Sequence, residues 1–339
     1  MMRLKNDAPT LVAARTALPP EGAQPALGRP GGGLIMSLPA DITVFERGWL
    51  SSNNILIQGR EATALIDTGY VTHAPQTLAL VEAALHGRAL DLVVNTHLHS
   101  DHCGGNAALQ ARYPALRTLI PPGASQHVRD WDPQALTYAP TGQNCPQFRF
   151  DAVLQPGTEV KLGDTPWQVH AAPGHDPHSV ILFEPAARLL VSADALWERG
   201  FGVVFPELEG LDAFDAVAQT IDLIEALAPL QVIPGHGSVF SDVTAAIARA
   251  RQRLDGFVAS PEKHTRHAAK VLLKFKLLEM QELEFASFVA WAQGTPYFAL
   301  IAQRHFAGID SERWIDALID DLIRAGAALR EGTLIRNVG

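Results

Sequence analysis

The stretch "NTHLHSDHCGGN", Asn95 to Asn106, brings His97, His99, Asp101 and His102 together in a chain of 339 residues. In an extended segment residues two apart point to the same side, so His97 and His99 can converge on one point. Asp101 and His102, after the chain turns, face a neighbouring point. Gly104 and Gly105 follow directly, and without side chains they let the backbone bend sharply and pass close to the cluster. Imidazole nitrogen with carboxylate oxygen is a donor set suited to zinc, and also to iron or manganese.

Three distant segments end in the same chemistry: "APGHDPHS" with His175, "VSADAL" with Asp194 and "VIPGHG" with His236. Each follows an apolar run that reads as a strand. The strand-like runs "ITVFE", "NNILIQ", "ATALID", "LDLVVNT", "WQVHAAP", "SVILFEP", "RLLVSAD" and "LQVIPG" alternate with helical patterns. Those helices are expected around "APQTLALVEAALHG", "DAVAQTIDLIEAL" and "VTAAIARARQRLDGF". The plan is α/β, with loops along one sheet edge carrying the polar groups.

In order and type these residues resemble the metallo-β-lactamase-fold hydrolase superfamily, marked by His-x-His-x-Asp-His, then a histidine, an aspartate and a last histidine. The resemblance runs from about Asp41 to Phe257 and includes "LIDTG" at Leu65 to Gly69. It implies an αββα sandwich with a small, mainly helical, winged-helix-like C-terminal domain. It also implies two divalent ions, zinc with iron or manganese as alternatives. His97, His99 and His175 would hold one, Asp101, His102 and His236 the other, and Asp194 would bridge them. Two such cations, less the charges of Asp101, Asp194 and a bridging hydroxide, leave about one positive charge to attract a polarised group. The hydroxide would be the nucleophile, oriented by Asp101, which shuttles its proton. Asp67 is expected behind the ligands, holding one in place by hydrogen bonds. Cys103 reads as a small packing residue, and His178, where the family's "PGHTPGH" run has glycine, as a group within reach of substrate.

The substrate reading rests on departures from relatives within that superfamily. The layout is closest to glyoxalase-II-like thioester hydrolases, which typically have "GCGKFYEG" after the bridging aspartate, and to lactamase-like enzymes with a winged C-terminal domain, some of which cleave RNA. This chain has "GFGVVFPE", so Val203 and Phe205 replace the lysine and tyrosine that contact glutathione. An apolar wall without a cation points to a hydrophobic thioester or lactone. The alternatives are a lactamase-like endoribonuclease and a mononuclear-iron persulfide dioxygenase. His73, His86, His127, His170, His264, His267 and His305 carry no motif and read as solvated or structural.

Composition narrows the partners. A net charge of −9 offers no basic footprint for nucleic acid. The expected partner is a small-molecule substrate, with no membrane role and a homodimer as the one assembly considered. Two cysteines, Cys103 and Cys145, exclude a disulfide framework but leave one bridge open, and a reducing cytoplasm is the simplest setting. Residues 1–35, rich in Ala, Pro and Gly, read as a disordered leader with Met36 as the true start. The hydrolase domain is expected over 36–260. Residues 261–339 are expected to form helices at "AAKVLLKFKLLEM", "ASFVAWAQ" and "SERWIDALIDDLIRAG", with Gly326 as a cap, and a hairpin turning at Glu331-Gly332. The last helix carries Glu312, Asp316, Asp320 and Asp321, which would repel phosphates.

Overall fold

The computed structural model describes residues 37–339 except Ala307 and the side chain of His305, so the expected leader lies outside the described residues. Short runs of β-branched and apolar residues build a six-stranded sheet in chain order. It comprises β1 (Ile42–Phe45), β2 (Asn54–Gln58), β3 (Thr63–Ile66), β4 (Leu92–Val94), β5 (Arg117–Ile120) and β6 (Ala152–Val153). The first three are antiparallel, and from β3 onward neighbours run parallel.

A second sheet contains β7 (Glu159–Leu162), β8 (Thr165–Ala171), β9 (Val180–Glu184), β10 (Leu189–Ala193) and β11 (Gln231–Pro234), in the order β11-β10-β9-β8-β7. The two sheets face each other through Ile55, Ile57, Ile66 and Val94 on one side and Trp167, Val169, Leu182 and Val191 on the other. Period-two alternation explains the layering: Ile55 and Ile57 point inward, while Leu56 points out to Val81, Leu85 and Leu109 of the flanking helices Ala74–Leu85 and Asn106–Arg112. The outer face of the second sheet meets Ile221 and Ile224 of the Phe214–Leu227 helix, and Ile247 and Leu254 of the Val243–Ala259 helix. The result is the expected αββα sandwich.

The helical C-terminal region follows through Ser260. Pro261 opens a helix to Met280, longer by seven residues at its start than the apolar run suggested. Pro fits the first turn, where its missing N–H has no intrahelical partner. Helices Phe285–Gly294, Pro296–His305 and Ser311–Arg324 follow. The Pro296–His305 helix was not expected from the sequence. Trp314, Ile315, Leu318, Ile319 and Leu322 line one buried stripe, with Gly326 just past its end at φ +71°. Strands β12 (Glu282–Glu284), β13 (Ala328–Glu331) and β14 (Leu334–Asn337) form a small sheet in the order β12-β14-β13. Glu331 pairs with Leu334, which moves the hairpin turn one residue on, to Gly332-Thr333. Val203 and Leu208 share the core of these helices with Leu272, Phe288 and Ile319. Tyr70 reaches the same region, donating its hydroxyl to Glu279 (2.9 Å) and meeting Phe275 edge-on.

Candidate metal centre

Strand ends supply the donors. At the end of β3, Asp67 takes φ +56° and accepts the Thr96 N–H (2.9 Å) and hydroxyl (2.7 Å) from the chain leaving β4. Its Oδ2 also lies 2.8 Å from Nδ1 of His102. One carboxylate therefore ties two parallel strand ends together and turns His102 so that Nε2 faces the centre. The short Ser100–Cys103 helix makes the turn that separates His97 and His99 from Asp101 and His102. A Cβ on Gly104 would lie 2.5 Å from the Ser100 carbonyl, and one on Gly105 2.4 Å from that of Thr68. The double glycine is a steric requirement.

The second sheet contributes from its own strand ends. His175 donates through Nδ1 to the Val203 carbonyl (2.6 Å), leaving Nε2 for the centre. Asp194 directs Oδ2 to within 3.4 Å of His175 Nε2, while Oδ1 lies 3.5 Å from His102 Nε2 and 3.8 Å from His236 Nε2. Trp197 donates its indole N–H to the same Oδ1 (3.2 Å). His236 lies with Nε2 3.2 Å from Asp101 Oδ2, its ring stacked on Trp49 at 5.4 Å. Gly235 is a further cradle, since a Cβ there would fall 2.2 Å from Asp194 Oδ1.

Donor atoms of His97, His99 and His175 lie within 4.8 Å of one another, as do those of Asp101, His102 and His236, and those of His97, His102 and Asp194. Nε2 of His102 and Nε2 of His175, both directed at the centre, are buried without a hydrogen-bond partner among the described residues. Buried orphan nitrogens of this kind are costly unless something binds them. Burial, then the adjacent imidazoles, hold His97 well below its usual range, and burial with His175 brings His99 down to about 4. Burial opposes charge on Asp194, but His102 and His236 outweigh it and keep the carboxyl well below the usual range. Burial also lowers His102, yet Asp194, Asp67 and Asp101 reverse this and raise it well above its usual value. Neutral imidazoles and ionised carboxylates are the forms that ligate a divalent cation, and the carboxylates holding a proton on His102 would hold a cation in its place. The clustered His and Asp groups thus fit a metal site.

A cavity of about 410 Å³ opens onto these donors. Val203 and Phe205 line it, as do Trp49, Val271, Leu272 and Phe275. The Phe205 ring sits 5.0 Å from His99 and 5.7 Å from His175. The lining bears on three sequence expectations. His178 does not line this cavity: its N–H is bound to the Asp176 carboxylate (2.7 Å), and its ring lies exposed against Gly123. His267, read as solvated or structural, is in the cavity wall, and so are the cations Arg199 and Arg253. The wall is therefore apolar but not free of cations. Nothing local in the sequence marks His267 or Arg253, because the packing of two helices brings them to the site. Cys103 is buried away from the donors, 3.2 Å from the Tyr138 hydroxyl and 3.8 Å from Cys145 Sγ, and both cysteines are free.

The family model described as the metallo-beta-lactamase superfamily matches residues 47–236. Acyl-coenzyme A thioesterase MBLAC2 from Bos taurus is 28% identical over 215 residues, covering 58% of this chain and 77% of that protein. A hydroxyacylglutathione hydrolase from Anaeromyxobacter dehalogenans (strain 2CP-C) is 31% identical over 209 residues, 60% of this chain and 69% of that one. Among solved structures, a beta-lactamase domain protein from Burkholderia ambifaria aligns with a TM-score of 0.55 at 20% identity, covering 90% of this chain and 94% of that chain. A metallo-beta-lactamase family protein from Thermus thermophilus gives 0.52 at 18% identity, covering 89% of this chain and 100% of that chain. At such identities the solved structures share the fold.

Proposed function

The chain belongs to the metallo-beta-lactamase superfamily of hydrolases, and from that premise we propose that it is a two-metal hydrolase of hydrophobic acyl thioesters or lactones. His97, His99 and His175 would hold one ion, Asp101, His102 and His236 the second, and Asp194, with its oxygens turned to both groups, would serve both. The nitrogen-rich donor set favours zinc. Bound there, divalent ions supply hydroxide at neutral pH and polarise the scissile carbonyl. Asp101 borders the cavity, and in this reading it takes a proton from the attacking water. Asp67 keeps His102 oriented, and Trp49 and Trp197 shield His236 from solvent.

The observation that carries the substrate class is the wall of Val203, Phe205, Val271, Leu272 and Phe275 facing the donors. Such a surface favours an acyl chain over a polar group. The thioesterases among the relatives support the thioester. The test is a panel on zinc-loaded protein: octanoyl and acetyl thioesters of one neutral thiol, an octanoyl-chain lactone, a phosphodiester and a β-lactam. The octanoyl thioester or the lactone should lead, and the octanoyl thioester should exceed the acetyl one in kcat/KM. Phosphodiester cleavage alone, or preference for the acetyl thioester, would contradict the reading.

A further inference from the structure

Arg253 lines the same cavity as the donor cluster. It lies on the Val243–Ala259 helix, half-buried, its guanidinium over the rings of Phe201 (5.5 Å) and Phe257 (5.3 Å). Nη2 donates to Nε2 of His267 (2.7 Å), so this imidazole nitrogen is an acceptor and the ring is neutral. Burial and then Arg253 itself push His267 down to about 3, consistent with that donor direction. The neighbouring cations are differently placed. Arg251, on the same helix, pairs with Asp222 and Glu225, while Arg266 and Lys270 pair with Asp321. Arg253 pairs with no carboxylate among the described residues, and burial is what lowers its pKa. Glu198 borders the cavity but is exposed and makes no ion pair with it, and the exposed Arg199 adds a second cation.

A guanidinium carries five N–H donors in a planar fork that matches carboxylate and phosphate oxygens. One donor here is taken by His267, and the others have no acceptor among the described residues. Holding such a group partly desolvated and without a counter-ion is unfavourable, and an oxyanion entering the cavity would relieve this. We propose that Arg253, seated on Phe201 and Phe257 and fixed by His267, binds an anionic group of the substrate, a carboxylate or phosphate, while the apolar wall takes the acyl chain. This rests on the hydrolase reading above and deepens it. The substrate is then an amphiphile, with an apolar acyl chain, a scissile acyl bond at the donor cluster and an oxyanion at Arg253.

The test compares octanoyl thioesters of three thiols: neutral N-acetylcysteamine, 3-mercaptopropionate with its carboxylate, and phosphopantetheine with its phosphate. A fourth substrate, the N-acetylcysteamine thioester of an ω-carboxyoctanoyl chain, moves the anion to the acyl end. The better of these anionic arms identifies the anion and the end that bears it. Wild-type kcat/KM should favour at least one anionic substrate over the neutral one by about 10- to 100-fold, the range for a hydrogen bond to a charged group. Arg253→Met should collapse that ratio towards one, mainly through KM. Arg253→Lys keeps the charge without the fork and should lower the ratio partway, which preserves the reading if Arg253→Met does not fold. A wild-type ratio near one, or a ratio unchanged in the variants, would overturn the proposal. Were the wild type to hydrolyse neither a thioester nor a lactone, the hydrolase reading would fail separately. Calorimetric titration with octanoate would then still decide the role of Arg253, with binding about tenfold weaker in Arg253→Met or Arg253→Lys expected, and equal binding contradicting it.

Discussion

Asp67 shows how much of the site depends on a residue that lies behind the donors. It accepts from Thr96 and holds His102, so its loss would free both a strand end and an imidazole. Asp67→Ala should weaken metal affinity by about 10- to 100-fold, the range for such supporting partners. Chelator competition reads this, and unchanged affinity would show that His102 is oriented by other contacts. His267 gives a prediction in pH. Its unfolded value is about 6.5, and the folded value is about 3. Above both values the ring is neutral in both states and contributes no pH dependence. As pH falls from about 6.5 towards 3, the unfolded chain takes up a proton that the native state refuses, so stability declines. His267→Gln should therefore lose less melting temperature between pH 7 and pH 4 than the wild type does, and parallel curves would refute the assignment. The donors were legible in the sequence because four of them lie in one strand-to-helix turn and the others each follow an apolar strand. Arg253 and His267 were not, since only the docking of consecutive helices brings them into the wall of the cavity that the donors face. His178 lies exposed outside the cavity lining, its backbone N–H bound to Asp176.

The elements that carry the donors were readable because their periods are clean. Alternation in β2 assigns Ile55 and Ile57 to the space between the sheets and Leu56 to the helices, and the stripe of the Ser311–Arg324 helix is equally regular. The Pro296–His305 helix lacks such a signal, because its apolar residues follow a proline and form no long periodic run. The start of the Pro261–Met280 helix was hidden because its first turns carry Glu262, Lys263, His264 and Arg266, which read as a connection. That helix links stability to substrate binding, since Leu272 belongs to the C-terminal core and also lines the cavity. Leu272→Ala should cost about 2–5 kcal/mol of unfolding free energy. It should also raise KM for an octanoyl thioester. Urea unfolding measures the first effect, and a loss below about 0.5 kcal/mol, the scale of surface substitutions, would mean that the site is not packed as described.

At the scale of the molecule, two sheets bring their strand ends to one edge, and the C-terminal helices close a cavity over it. Strand patterning points to an α/β plan, and the order of seven His and Asp residues to the superfamily, which in turn implies the αββα sandwich. The cavity's chemistry does not follow from either, because its wall combines Trp49 from before the first donor motif, Val203 and Phe205 from the segment after Asp194, and residues of the Val243–Ala259 and Pro261–Met280 helices. The central claim, that these donors form two coupled metal sites, is tested most directly by elemental analysis of gently purified protein beside Asp194→Ala. The wild type should hold close to two divalent ions per chain, and the variant, lacking the carboxylate directed at both groups, should lose metal and hydrolytic activity together. A single iron per chain in the wild type, or full metal content retained by the variant, would contradict it.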